Sequence, residues 1–148
     1  MTGGVIINAE TSKLGLKRYS FVWVADANGD AKAWLDGRRN PLLEGIPVRV
    51  VTRPSASQAP AIDYDIYLND SRGRDLFNGK LGNRSGATIQ VKALGNVLAD
   101  EYRFAEEGTV GKLQFIIDNA GSGGAGVTVI YVRPFFPPAH LPILPSQC

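Results

Sequence analysis

Short runs in which apolar and polar residues alternate, separated by glycine and proline, constrain this chain more than any other feature. Its 148 residues include 17 glycines and nine prolines, which favour turns and short strands over long helices. The run KRYSFVWVAD places Tyr19, Phe21 and Trp23 on one side of an extended segment, with Val22 and Val24 on the other. Aromatic and β-branched residues with a period of two are typical of strands, and here both sides are largely apolar.

Two connections carry the sequence signals of hairpins. Asn28-Gly29 follows the first run, and both residues accept the positive φ of a type I′ turn, so a return strand is predicted over Ala31–Leu35. The segment GKLQFIIDNAGSGGAGVTVIYVRP alternates on both sides of a glycine-rich connection, which predicts a second hairpin with a wide, flexible loop. Further strands are predicted over IPVRVVTR, over residues 62–69 and over residues 87–93, and a short helix or a long loop follows.

The sum of these segments predicts an all-β fold over residues 1–133, either a single jelly-roll-like β-sandwich or a small barrel. A hydrophobic fraction of 44% and a charged fraction of 20% are ordinary for one soluble domain. The net charge of +2, with both signs interspersed, does not favour a dedicated nucleic-acid binder. The sequence has no apolar window long enough to cross a membrane and no signal-peptide pattern, so we expect synthesis in the cytoplasm.

The last segment, residues 134–148, differs in kind from the rest. PFFPPAHLPILPSQC contains five of the nine prolines and no charged residue. It therefore cannot continue a sheet and is predicted to be an extended, polyproline-like arm. An uncharged arm with bulky apolar groups is a poor candidate for a free tail. It packs over its own domain or, as we favour, on a neighbouring chain.

The interface residues predicted from this reasoning lie at both ends of the chain. The first set belongs to the arm: Phe135, Phe136, Leu141, Ile143 and Leu144. The second set belongs to the segment VIINAE, which would add a strand to the sheet of a neighbour: Val5, Ile6 and Ile7.

The stretch DYDIYLNDSRGRDLFNGK, residues 63–80, raises the question of a metal site. An EF-hand loop needs oxygen ligands at fixed spacing around a glycine and a final Glu, and this stretch does not have that pattern. Strand alternation puts Asp63 and Asp65 on a solvent face, and Asn69, Asp70 and Gly73 suit a turn without any ion. We predict no metal and no cofactor.

The other candidates for chemistry lack the partners that catalysis requires. His140 and Cys148 are single residues of the arm, and the pairs Asp63/Asp65 and Glu106/Glu107 have no second carboxylate across a predicted cleft. The glycine-rich run at 119–126 has no lysine and is followed by a strand, unlike a phosphate-binding loop. We therefore predict a protein that is not an enzyme.

Two aromatic residues are predicted on the faces opposite the core. Trp34 and Tyr67 have this position, which suits a protein interface first, the core second and sugar stacking third.

Three segments follow one another in this chain: FVWVADANGDAKAW, DYDIYLNDSRGRDLFNGKLGNRSG and GKLQFIIDNAGSGGAGVTVIYVRP. In this order they resemble a family of small proteins encoded among the virion structural genes of tailed bacteriophages. The similarity covers roughly residues 17–133, and the arm departs from it. The resemblance implies a location in the virion and no activity, and it carries over no catalytic residue.

We therefore expect a non-enzymatic decoration, or cement, protein of a tailed-phage capsid. Its expected partners are the major capsid protein or other virion proteins, with self-association in the particle and without a membrane or a specific nucleic acid. A neck or tail component is the alternative within the same class. A carbohydrate-binding module for host adhesion is the alternative from a different class, and it depends on Trp34 and Tyr67.

Overall fold

The computed structural model describes residues 3–12, 15–43, 45–77, 79–93 and 112–133. Within these ranges the chain is all-β, as predicted, and has eight strands and no helix. No helix that could cross a membrane is therefore found in them. The segment after the sixth strand and the predicted arm lie outside the described residues. The strands are β1 (Gly4–Thr11), β2 (Lys17–Val24), β3 (Ala31–Leu35), β4 (Ile46–Pro54), β5 (Asp65–Asn69), β6 (Gln90–Ala93), β7 (Leu113–Asp118) and β8 (Ala125–Arg133).

The strands form two antiparallel sheets. The large sheet has five strands in the order β1-β2-β8-β4-β6, and the small sheet has three in the order β3-β7-β5. β8 is the central strand of the large sheet and pairs with β2 on one side and β4 on the other. The ladder between β4 and β8 shifts its register between Pro47 and Arg49. β7 has the central position in the small sheet.

The two sheets face each other across one hydrophobic core. Tyr19, Phe21 and Trp23 of β2 are buried, as their common face predicts. Phe21 stacks on Phe115 of β7, with ring centroids 4.2 Å apart, and Trp23 lies 5.3 Å from the ring of Tyr64. Burial raises the pKa of Tyr64 to about 12, because the ionised phenol would lose its solvation. The aromatic residues of the first alternating run thus form the contact between the layers.

The first predicted hairpin is wrong, although both of its strands are present. β2 belongs to the large sheet and β3 to the small sheet, so the connection crosses between layers. Gly29 has a φ of 85°, but Asn28 does not have a positive φ, so no type I′ turn forms. Instead, Oδ1 of Asp26 accepts the backbone N–H of Asn28 at 2.8 Å and of Asp30 at 3.0 Å. This side-chain turn directs the chain into the opposite sheet.

The second predicted hairpin is wrong for the same reason. β7 lies in the small sheet and β8 in the large sheet. Between them, Asn119, Gly121 and Gly123 have positive φ values of 62°, 77° and 73°. The two crossings contact each other, since the N–H of Ala120 donates to the carbonyl oxygen of Gly29 at 2.8 Å. Alternation within a strand is the same whether the next strand pairs with it or faces it, so the local pattern did not separate the two cases.

β5 is shorter than the predicted strand over residues 62–69. Tyr64, Ile66 and Leu68 are buried on the predicted face. Ile62, which the alternation placed beside them, is 79% exposed. The reason is the φ of 62° at Asp63, which breaks the extended conformation before the strand begins.

The connection between β5 and β6 is a loop, as predicted, but part of it belongs to the core. The hydroxyl of Ser85 accepts the backbone N–H of Thr88 at 3.0 Å, and this turn delays the start of β6 to Gln90 instead of residue 87. Three apolar residues of the loop are buried: Leu76, Phe77 and Leu81.

Candidate interaction surfaces

β1 is an edge strand of the large sheet. It pairs with β2 in an unbroken register, and no other described strand pairs with it. Two of its three predicted interface residues face inward: Ile7 is buried and Val5 packs against the core. Ile6 points to the outer face and is 66% exposed. The segment therefore adds a strand to its own sheet, and its pairing with a neighbour remains a prediction.

The outer face of the large sheet carries two adjacent rows of apolar residues, called here the outer apolar rows. The first row consists of Ile6, Val22 and Val127. The second row consists of Val129, Val51 and Val91. Val22 is 43% exposed and Val91 is 61% exposed, and the middle of the second row is buried. Neighbouring exposed apolar side chains on a sheet face suit a contact with another molecule. The apolar character of both sides of β2 was the sequence signal for this surface.

A charged border lies beside the outer apolar rows. Glu10, Arg18, Tyr131 and Arg49 follow one another in register across four strands. Arg18 lies 3.8 Å from the Glu10 carboxylate, and the Arg49 guanidinium lies 4.4 Å from the centroid of the Tyr131 ring. A hydrogen bond from Arg18, with a further contribution from Arg49, lowers the pKa of Tyr131. The border is therefore ordered by side-chain pairs, but both ion-pair partners are exposed, so it contributes little stability.

The outer face of the small sheet carries the two aromatic residues predicted outside the core. Trp34 is 42% exposed, and Gln114 and Asn69 lie beside it in register. Tyr67 is half-buried one row away, beside Ile116. Desolvation raises the pKa of Tyr67, and nearby carboxylates add to this shift. Aromatic and amide side chains on one sheet face can stack on a sugar ring and hydrogen-bond its hydroxyls.

Carboxylates meet at one end of this face. A hydrogen bond with Asp30 raises the pKa of Asp118, and desolvation and the nearby charge of Asp65 act in the same direction. Asp65 accepts the N–H of Asn83 through Oδ1 at 2.8 Å and the amide of Asn119 through Oδ2 at 3.3 Å. These contacts tie β5 to the two loops beside it.

Three of the four aspartates that raised the question of a metal site, Asp65, Asp70 and Asp75, bind backbone N–H groups. Oδ1 of Asp70 accepts from Arg72 at 2.9 Å and from Arg74 at 3.0 Å. Burial opposes ionisation of Asp70, but these hydrogen bonds outweigh it and lower its pKa. Asp75 accepts from Leu68 and Phe77 through Oδ1 and from Gly79 through Oδ2. Turn chemistry thus explains these side chains, as predicted, and no cluster of three or more His, Cys, Asp or Glu suited to a metal is found in the described ranges.

The remaining candidates fall outside the described residues. These are the five apolar residues of the arm, His140, Cys148 and the pair Glu106/Glu107. Their predicted roles stay predictions. Comparison with protein-family models, with curated proteins and with solved structures finds no match for this chain. The surfaces themselves are therefore the basis for a functional proposal.

Proposed function

We propose that this chain is a non-enzymatic structural component of a tailed-phage virion, a decoration protein that binds the outside of the capsid and stabilises it. The observation that carries the proposal is the position of the arm. It follows Arg133 at the end of β8, the central strand of the large sheet, and it combines large apolar side chains with a complete lack of charge. Such a segment favours burial against another molecule. The resemblance to phage structural proteins implies that this other molecule belongs to the virion.

We also propose that the two sheets form a β-sandwich of the jelly-roll type. From β2 to β8, successive strands alternate between the large and the small sheet. Residues 81–84 have the position of a fourth strand in the small sheet, because the carbonyl oxygen of Leu81 accepts the N–H of Ile66 at 3.0 Å and Arg84 bridges Tyr64. Jelly rolls occur in viral capsid and lectin domains, a likeness of fold that by itself does not assign a function.

The mechanism would be passive. Each copy buries apolar surface of its arm, above all Phe135 and Phe136, against the capsid lattice. Because the arm binds only the assembled shell, mass action shifts the equilibrium towards that shell. Many identical copies on one particle make modest affinity at each site sufficient.

The test is truncation of the chain after Arg133. Full-length and truncated proteins are incubated with capsids of the phage that carries this gene, and the bound fraction is measured by co-sedimentation. We expect the truncated protein to retain its β-rich circular dichroism and to lose binding. Equal binding of the two proteins would refute the arm as anchor.

A matched pair of substitutions separates apolar anchoring from a general effect of the arm. Phe135→Ala with Phe136→Ala should weaken capsid binding nearly as much as truncation, because the pair supplies the largest apolar area. His140→Ala, in the same arm, should leave binding unchanged. Quantitative mass spectrometry of purified virions then distinguishes a decoration protein, present in many copies over the shell, from a neck or tail component, present in one ring.

A carbohydrate-binding module is the second candidate, favoured by the exposure of Trp34 beside Gln114 and Asn69. It predicts that the protein binds a subset of sugars on a glycan array and that Trp34→Ala abolishes this binding. A blank array, or binding that persists in the Trp34→Ala and Tyr67→Ala variants, would exclude this surface as a sugar site.

A further inference from the structure

We propose that two copies of this chain associate through their β1 strands, which pair antiparallel about a two-fold axis and join two large sheets into one. The proposal deepens the self-association expected of a shell protein by naming one contact and its partner. It rests on β1 alone and not on the arm.

Among the described residues, the four sheet edges differ in how they are protected, and β1 is the least protected. The edge of β5 is covered by residues 81–84 through backbone hydrogen bonds. β3 carries an exposed Lys32, and β6 has only four residues. Charged side chains and short length are the usual devices that prevent edge-to-edge pairing.

β1 is long and carries a single charged residue. It has eight residues, GVIINAET, without lysine or proline, and its ladder with β2 has no bulge. In an antiparallel ladder every second residue directs its N–H and C=O groups to one side, so half of the residues of β1 direct theirs away from β2. Its one charged residue, Glu10, is already close to Arg18 within the same sheet. An edge of this kind is a template for another strand.

The sequence of β1 is self-complementary about Ile7. In a two-fold arrangement centred there, Ile7 lies opposite its copy, Ile6 opposite Asn8, and Gly4 opposite Glu10. This register pairs residues that face the same side of the sheet, so the cores of both copies lie below one continuous sheet. It also separates the two Glu10 carboxylates, each of which lies opposite a glycine without a side chain.

A second copy fits this edge better than a head-to-tail contact. Pairing of β1 with β6 of the next molecule would match a long edge to a short one and would generate a larger ring or an open filament. Pairing of β1 with β1 uses the same residues on both sides and closes at the dimer. It also brings the two copies of Ile6, the most exposed member of the first outer apolar row, to the same face of the joined sheet.

The experiment measures the molar mass of the full-length protein by sedimentation equilibrium from low to high micromolar concentration. The test variant is Ile6→Lys, and the matched control is Val91→Lys, which has a similar exposure on the same face but lies on the opposite edge strand. We expect the wild-type protein and Val91→Lys to dimerise equally. Ile6→Lys should raise the dimer dissociation constant about tenfold or more, since lysine is a natural edge protector.

Two outcomes would overturn the proposal: a wild-type protein that is monomeric at every concentration, or equal weakening by the two lysine variants. Thermal unfolding of both variants verifies that they fold, which is expected because Ile6 and Val91 lie outside the core.

Truncation after Arg133 separates this contact from the arm. A dimer that persists without the arm supports β1 pairing even if capsid binding is lost. A truncated chain that becomes monomeric assigns the dimer to the arm and refutes β1 pairing. As an independent measurement, amide hydrogen exchange of β1 should slow with increasing concentration in the wild-type protein, and Ile6→Lys should need a higher concentration for the same slowing.

Discussion

The ring of Phe21 in the large sheet stacks on the ring of Phe115 in the small sheet, with centroids 4.2 Å apart and an interplanar angle of 16°. Both side chains are fully buried. β2 and β7 are far apart in sequence and belong to different sheets, so this stack is a direct contact between the two layers of the core.

Phe115→Ala is expected to destabilise the protein by roughly 3–5 kcal/mol, because it removes buried apolar surface and leaves a cavity between the sheets. Ile116→Ala, the next residue of the same strand, faces outward and should cost about 1 kcal/mol or less. Urea unfolding, monitored by circular dichroism, measures the free energy of unfolding of both variants. Similar losses for the two variants would contradict the described facing of β7.

Gly3 is predicted to be intolerant of any side chain. A Cβ atom at this position would lie 2.8 Å from the backbone nitrogen of Asp26 and 2.9 Å from the carbonyl oxygen of Asp30, whereas Gly4 has open space at its Cβ position. Gly3→Ala should therefore destabilise the fold by roughly 1–3 kcal/mol. Gly4→Ala should change stability by about 0.5 kcal/mol or less. Thermal denaturation of Gly3→Ala and Gly4→Ala tests this difference in stability. Equal melting temperatures of the two variants would contradict the close packing of Gly3.

Asp75 is expected to hold the loop after β5. Its carboxylate accepts three backbone N–H groups, from Leu68, Phe77 and Gly79, at distances of 3.1, 3.0 and 2.9 Å. Asp75→Ala should cost roughly 1–3 kcal/mol, because two partly buried donors and one exposed donor lose a charged acceptor. Asp75→Asn retains one acceptor oxygen and should lose about half as much. Chemical denaturation measures the order of stability of the wild type, Asp75→Asn and Asp75→Ala. An alanine variant as stable as the wild type would show that the loop is held by its apolar contacts instead.

Asp118 should make stability depend on pH. Its pKa is raised above the usual 3.8 by the hydrogen bond with Asp30 and by desolvation, so the folded state favours the neutral carboxyl. The corresponding stabilisation is complete below pH 3.8 and is lost as the pH rises through the raised pKa. Asp118→Asn, which mimics the neutral form, should match wild type at low pH and become more stable at neutral pH, by roughly 1 kcal/mol or less after solvent screening.

Asp70→Asn is the control with the opposite sign. Backbone hydrogen bonds lower the pKa of Asp70, so wild type gains stability from ionisation as the pH rises and the asparagine variant does not. The difference between wild type and each variant, measured by denaturation from acid to neutral pH, should therefore change in opposite directions. Parallel curves would contradict the described hydrogen bonds of one of the two carboxylates.

The positions and inward faces of several strands could be predicted from the sequence. Tyr19, Phe21 and Trp23 alternate with less bulky residues, and all three are buried. The prediction worked because alternation is a local property of an extended chain with one side turned to the core. It failed at Ile62, where one positive φ at Asp63 interrupts the extended conformation.

The pairing of strands could not be predicted in this way. The Asn28-Gly29 turn and the glycine-rich connection after Asn119 both looked like hairpin loops, and both cross between sheets. Which strand becomes an edge depends on these crossings, so the open edge of β1 could not be predicted. The second apolar side of β2 was a signal for the outer apolar rows, but the sequence did not show which strands lie beside it. For this edge and this face, the sequence predicts only the interface character of the segment that contains Ile6.

The sequence by itself determined that this protein is built from short strands with an aromatic inner face, and that its aspartate-rich stretch is a strand followed by a turn. Those features depend on φ preferences and on a two-residue period, which neighbouring residues set together. Only the tertiary structure decided which strands pair, which edges remain open and which carboxylates support a loop. Those features depend on hydrogen bonds between residues far apart in the chain, and no local pattern specifies such partners.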